Sequence, residues 1–284
     1  MRRSYAAGLA LAALLAVAVL APLAGAGKRA SDRDGESWPP TRYPRPARLA
    51  DAREIAAAAP GTVAFAVVDS RDPARGYEQD LQFSSASISK ALLLAAELRR
   101  LQRHDQPLDG GTRSTLDSMI RFSDNDAASS IYARVGDPGL LEVAERAGMD
   151  GFEVTPGYWG GAQVTAGGLA RFFWDLDENL PARSRRFGRQ LLENVTSTQR
   201  WGIPEGANGA WRVYFKGGWR PPATEETSGP VTHQAALLEH RSGERIGLAV
   251  LSDQSPGSTS YATLEGITRS LLAQPPRSRR WPAN

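Results

Sequence analysis

Three short stretches of this chain combine residue types that could move a proton and hold an acyl group. The first is Ser87-Ile-Ser-Lys90, at the head of SSASISKALLLAAELRR (84–100). Positions i and i+3 share one face of a helix, so the Ser87 hydroxyl and the Lys90 amine are neighbours. A serine hydroxyl is a poor nucleophile until a base takes its proton, and a desolvated lysine serves as such a base because burial disfavours its charged form. The other reading is a lysine whose stem lies along the surface with its charge in water. The second stretch is Ser123-Asp124-Asn125 within MIRFSDNDAASSIY. Asp124 or Ser123 suits the cap of a helix starting near Asp126; alternatively Ser123 relays protons beside Lys90 and the Asn125 amide binds a substrate. The third is Lys216-Gly217-Gly218-Trp219 in WRVYFKGGW. Two glycines interrupting an apolar strand mark a close approach to its backbone, and the lysine offers a positive charge to a carboxylate. An edge strand guarded by a lysine and a glycine bulge would read the same way.

Composition sharpens the case for the amines. Of 34 basic residues only Lys28, Lys90 and Lys216 are lysines. Where lysine persists in an arginine-rich chain, the property arginine lacks is the ability to lose its proton at moderate pH. The absence of cysteine excludes disulfides, thiolate metal sites and a cysteine nucleophile. His104, His233 and His240 show no metal-ligand spacing, and no G-x-S-x-G elbow accompanies them. No cofactor and no metal are expected. A net charge of +3 is too small to argue for nucleic acid, and the run Arg183-Ser-Arg-Arg-Phe-Gly-Arg189 has the spacing of a solvated helix face.

The elements that must position these residues follow from periodicity. Residues 1–26 pair a basic start (Arg2, Arg3) with an apolar stretch and end on Ala24-Gly25-Ala26, the layout of an export signal, either cleaved after Ala26 or kept as a membrane anchor. Residues 27–48 mix charge and proline as a linker does, and 274–284 read as a non-globular tail. The folded domain is expected over 49–273. Within it a short helix (LADAREIAAA) precedes a buried strand (62–70) and a second strand near 76–83, which leads into the Ser87 helix. Short helices fill 112–148, punctuated by Gly136-Asp-Pro, and two more cover 165–180 and 184–197. Strands at 211–219, 232–240 and 245–253 follow, the last two joined by the hairpin Arg241-Ser-Gly-Glu, and a helix over 258–273 closes the chain. This order predicts an α+β fold: one antiparallel sheet flanked by helices, with an inserted all-helical region.

Ser-x-x-Lys on a helix, Ser-Asp-Asn in the helical block and Lys-Gly-Gly on a late strand together resemble the three motifs of the serine penicillin-recognising enzymes. Within that superfamily the chain is most similar to the class A β-lactamase-like group, and QRWGIP (199–204) ahead of the Lys216 strand adds to the likeness. The resemblance implies that Ser87 is acylated by an amide or lactam carbonyl and that Lys90 activates it. It further implies that Ser123 passes a proton to the leaving nitrogen, Asn125 holds the substrate's side-chain amide, and Lys216 attracts the substrate carboxylate. The oxyanion would lie between the backbone N–H groups of Ser87 and Trp219, a donor pair that usually carries several kcal/mol of the barrier reduction. On this view Lys90 is buried to be a base, helped by the second cation Lys216.

Three departures bear on function. Gly217 stands where the family carries a hydroxyl, and Arg220 and Thr232 are the residues placed to replace that donor. The interval from Ser87 to Ser123 is shorter than in typical class A enzymes. Those enzymes use a loop glutamate, with an asparagine four residues later, to activate the hydrolytic water; here 148–164 holds only Glu153, with Gly157 four on. The expected protein is therefore an exported, secreted or envelope-associated monomer that forms an acyl-enzyme on Ser87 with a β-lactam or peptidoglycan-derived amide. The alternatives are a D-alanyl-D-alanine peptidase and a catalytically weak envelope protein, the latter suggested by Tyr158, Trp159, Trp201, Trp211 and Trp219. The membrane enters only through the N-terminal anchor.

Overall fold

A computed structural model describes residues 43–71, 73–222 and 229–273. The export signal expected at 1–26, most of the linker and the tail at 274–284 lie outside the described residues. The first helix begins at Pro46, inside the stretch expected as linker, and Tyr43 is already buried, edge-on to Trp211 at 5.1 Å. Proline is well suited to a first helical turn, where its missing N–H has no partner to lose.

In chain order the elements are α1 (Pro46–Ala58), β1 (Val63–Val68), β2 (Arg75–Tyr77), β3 (Gln82–Ser84), α2 (Ser89–Arg103), α3 (Gly110–Arg121), α4 (Asn125–Arg146), β4 (Glu153–Thr155) and β5 (Tyr158–Thr165). Then come α5 (Ala166–Trp174), α6 (Leu176–Asn179), α7 (Arg185–Glu193), α8 (Ile203–Gly206), β6 (Trp211–Arg220), β7 (Val231–His240), β8 (Arg245–Ser252) and α9 (Ser258–Leu272). The main sheet is antiparallel, in the order β2-β1-β8-β7-β6. Every residue of β1 and nearly all of β8 is buried, so these strands carry apolar side chains on both faces. Helix α5 packs on β1, β7 and β8, and α1 and α9 pack on each other and on the same strands.

The sheet differs from expectation in one respect. The strand expected near 76–83 divides: the chain turns at Glu78 (φ 45°), so β2 joins the main sheet while β3 pairs with β5 in a separate three-stranded sheet, β3-β5-β4. The two strands β4 and β5 were not expected; Gly160 and Gly161 within YWGGAQVT weaken any strand pattern there.

Helix α2 is the core of the helical region. Leu92, Leu93, Leu94 and Leu98 are wholly buried, and a helix apolar all round is an interior helix. Its one buried acid, Glu97, is held by Arg100 at 2.7 Å and Arg134 at 3.0 Å, as a charge in that position requires. Helix α4 breaks at Gly136 (φ 59°) ahead of Pro138, where the sequence placed its punctuation.

Candidate active site

Ser87 sits in a 3-10 turn, Ala86–Ile88, that leads directly into α2, and Lys90 is in the first turn of that helix. The turn is pinned by the Ser89 hydroxyl, which donates to the Ala86 carbonyl at 2.8 Å. Ser87 remains partly open to solvent while Lys90 is completely buried. The Lys90 Nζ lies 2.9 Å from Ser87 Oγ, 2.6 Å from the Ser123 carbonyl, 3.2 Å from Ser123 Oγ and 2.7 Å from Asn125 Oδ1. A neutral amine has two N–H donors and one lone pair. The Ser123 carbonyl and Asn125 Oδ1 can only accept, so they take the two donors, and the lone pair is left for a hydroxyl proton.

Burial brings that neutral form within reach of moderate pH. Burial pushes Lys90 down to about 8, partly opposed by the carboxylate of Asp124. Lys216 is also fully buried and lies well below the ordinary lysine range, because of burial and then of its like-charged neighbour Lys90. The second amine thus resists carrying a charge beside the first.

Ser123 joins the two amines. Its hydroxyl is 3.2 Å from Lys90 Nζ and 3.1 Å from Lys216 Nζ. It occupies the left-handed region (φ 61°), as does Ala86 (φ 45°) beside the nucleophile; non-glycine residues hold such angles only where the surroundings enforce them. Asp124 caps α4, accepting from the Ala127 N–H at 2.7 Å, so the cap is formed while Ser123 stands beside both amines. Asn125 turns its carbonyl end to Lys90, which leaves its amide N–H groups for a substrate.

The β6 wall comes close because Gly218 has no side chain. A Cβ there would stand 2.9 Å from the Ile88 nitrogen and the Ser85 carbonyl and 3.0 Å from the Ser87 nitrogen. This close approach holds Gly218, the residue before Trp219, against the turn that carries Ser87. Gly217 is less constrained: a Cβ there would meet Trp201, Gln234 and the His233 carbonyl at an ordinary 3.6 Å.

Several expectations are corrected by the geometry. Thr232 cannot replace the missing hydroxyl, since it is buried and donates to the Gln254 carbonyl at 2.9 Å. Arg220 gives three of its five N–H donors to the protein, to the Gly229 carbonyl at 2.9 and 3.0 Å and to Ser84 Oγ at 3.2 Å. The Lys216 amine does not reach toward solvent; it points at Ser123 and at the Gly217 carbonyl, 2.9 Å away. Glu153 lies on the exposed edge strand β4, where its carboxylate accepts from Gln82 Nε2 at 3.0 Å. Among the described residues no Asp or Glu is hydrogen-bonded to Ser87, Lys90, Ser123 or Lys216.

One site residue escaped the sequence reading. Strand β5 carries the Trp159 ring over Lys90, with Nζ 4.8 Å from the ring centroid, and the indole N–H donates to Ser129 Oγ at 3.3 Å. Trp159 was grouped with the other aromatics, and only the unexpected strand β5 brings it here. Trp211, from the same group, is instead buried against Tyr43 and His240.

A family model described as the beta-lactamase enzyme family matches residues 48–274. No curated protein matches by sequence. The class A beta-lactamase structure from Bacteroides cellulosilyticus superposes with a TM-score of 0.70 at 15% identity, covering 81% of this chain and 97% of that one. The TLA-3 extended-spectrum beta-lactamase gives 0.69 at 14%, covering 79% and 96%, and the structure described as PBP-A gives 0.67 at 16%, covering 82% and 97%. At these identities the likeness is one of fold.

Proposed function

Because this chain belongs to the beta-lactamase enzyme family, we propose that it is an exported serine acyl-transfer enzyme whose nucleophile is Ser87. The observation that carries the reading is the 2.9 Å contact between Lys90 Nζ and Ser87 Oγ, made by an amine that burial holds near pKa 8. The uncharged amine takes the Ser87 proton as Oγ attacks the carbonyl carbon of a β-lactam or related cell-wall amide. The oxyanion is received by the backbone N–H groups of Ser87 and Trp219. The C–N bond then breaks, and the proton reaches the leaving nitrogen from Lys90 through Ser123. Lys216 holds the Ser123 hydroxyl in line from the other side.

Hydrolysis of the resulting ester is the slow half of the cycle. The position of Glu153 on the outer edge, bonded to Gln82, supports this, as does the Trp159 indole ring, which covers the Lys90 amine at 4.8 Å. The protein therefore behaves as a stoichiometric acceptor of β-lactams in the cell envelope with little turnover. The test is to incubate it with a fluorescent penicillin and measure intact mass. Wild type should gain one adduct that persists for many minutes, and Ser87→Ala should gain none. Absence of the wild-type adduct, or its survival in Ser87→Ala, sinks the assignment. Rapid turnover of nitrocefin over many equivalents would leave acylation standing and refute slow release.

A further inference from the structure

The wall beside the leaving group is built unlike a carboxylate site. Ser123 delivers the proton to the leaving group, so its neighbours Lys216 and Gly217 mark the side on which that group departs. Three residues there have the chemistry to grip an anion, and each already donates within the protein. Lys216 is fully buried and directs its amine to Ser123 Oγ and the Gly217 carbonyl. Thr232 donates to Gln254, and Arg220 donates to Gly229 and Ser84. Position 217 has no side chain at all.

Aromatic surface takes their place. The Trp201 ring lies 3.6 Å from where a Gly217 Cβ would stand. It stacks on Tyr261 with centroids 4.4 Å apart and planes at 15°, and meets Trp219 edge-on at 6.1 Å. Trp219 is 36% exposed, an unusual position for a large apolar ring, and it sits beside Gly218, whose backbone touches Ser87. The group of rings is therefore continuous from the motif strand to solvent. An apolar ring is received by such a surface in offset or edge-on packing, whereas a carboxylate laid against the rings would be desolvated there.

We propose that the preferred substrate is an amide or ester whose leaving group is uncharged and carries an apolar ring, which packs on Trp201 and Trp219. This rests on Ser87 being the acylated nucleophile and narrows what acylates it: the Ser87 Oγ–carbonyl bond forms, the carbonyl–leaving-group bond breaks, and the Ser87 proton ends on the departing nitrogen or oxygen. A substrate with a free carboxylate next to the scissile bond, penicillins included, acylates Ser87 more slowly than its uncharged counterpart.

The probes are benzylpenicillin and its benzyl ester. Wild type should be acylated about tenfold faster by the ester, the gain expected of one good ring contact, with the adduct mapped to Ser87. Trp219→Ala and Trp201→Ala should each lower the ester-to-acid ratio severalfold. Binding to Ser87→Ala, followed by tryptophan fluorescence, should show the same preference without chemistry. Faster labelling by the free acid overturns the inference while leaving Ser87 as nucleophile. An unchanged ratio in both tryptophan variants overturns the role of the rings. If neither probe labels wild type, the acylation reading falls; a preference for the ester in Ser87→Ala would then still support the ring site, and its absence would refute it.

Discussion

At the scale of single residues, the site turns on what burial does to two amines. Lys90 works as a base only when unprotonated, so acylation of Ser87 should rise with pH and level off above its pKa of about 8. Asp124 favours the charged form of Lys90, and Asp124→Asn keeps a helix-capping side chain while removing the charge. Its pH–rate midpoint should therefore fall below that of wild type, as stopped-flow labelling across pH 6–10 would show; an unchanged midpoint means another group controls the profile. Trp159 makes a second test. With Trp159→Ala the space over Lys90 opens to water, and the acyl-enzyme should decay faster by roughly tenfold, the effect of ~1.4 kcal/mol on a barrier. Mass spectrometry of the decaying adduct measures this directly. Ser87 and Lys90 were legible as neighbours from the i, i+3 spacing and the rarity of lysine, whereas Asn125 and Lys216 stood out only through the resemblance of three ordered motifs. Trp159 was not, since nothing local in the sequence says which neighbour a ring will cover. Nor was the committed state of Arg220 and Thr232, which depends on partners far along the chain.

At the scale of elements, the controlling contact is that of β6 with the turn before α2. Gly218→Ala forces a Cβ against backbone atoms that cannot move aside, and overpacking of this kind costs about 1–3 kcal/mol. Acylation should fall on the order of a hundredfold as the oxyanion donors shift. Gly217→Ala meets only ordinary contacts and should keep the fold, so thermal melts of the two variants separate the positions; equal melting temperatures would contradict the geometry. The main sheet and the long helices were readable because their apolar runs and turn signals agree. The three-stranded sheet was hidden by short strands, by glycines at 160 and 161, and by a bend at Glu78 that no pattern of polarity announces.

At the scale of the whole molecule, the two sheets and the nucleophile's turn are tied through one buried imidazole. His233 Nε2–H donates to the Ser84 carbonyl at 3.1 Å, while Nδ1 accepts the Ser252 N–H at 3.1 Å. The Ser252 bond requires the neutral ring, and burial pushes the His233 pKa down to about 4, partly opposed by the Ser84 bond. The unfolded chain binds this proton near pH 6.5. Stability is thus full above 6.5 and is lost as pH falls toward 4, by about 3 kcal/mol in all. Urea midpoints measured between pH 7 and 4 should slide downward in wild type, and more shallowly in His233→Gln. A wild-type midpoint flat over that range would show that the ring does not titrate as its burial dictates. The left-handed backbone of Ala86 and Ser123 carries this to the catalytic centre. Two residues bent against their own preference, one at each side of the nucleophile, stay bent only while everything around them presses inward. Loosen the shell with denaturant and they relax first, so the protein should go silent toward penicillin while its circular dichroism still reports an intact fold.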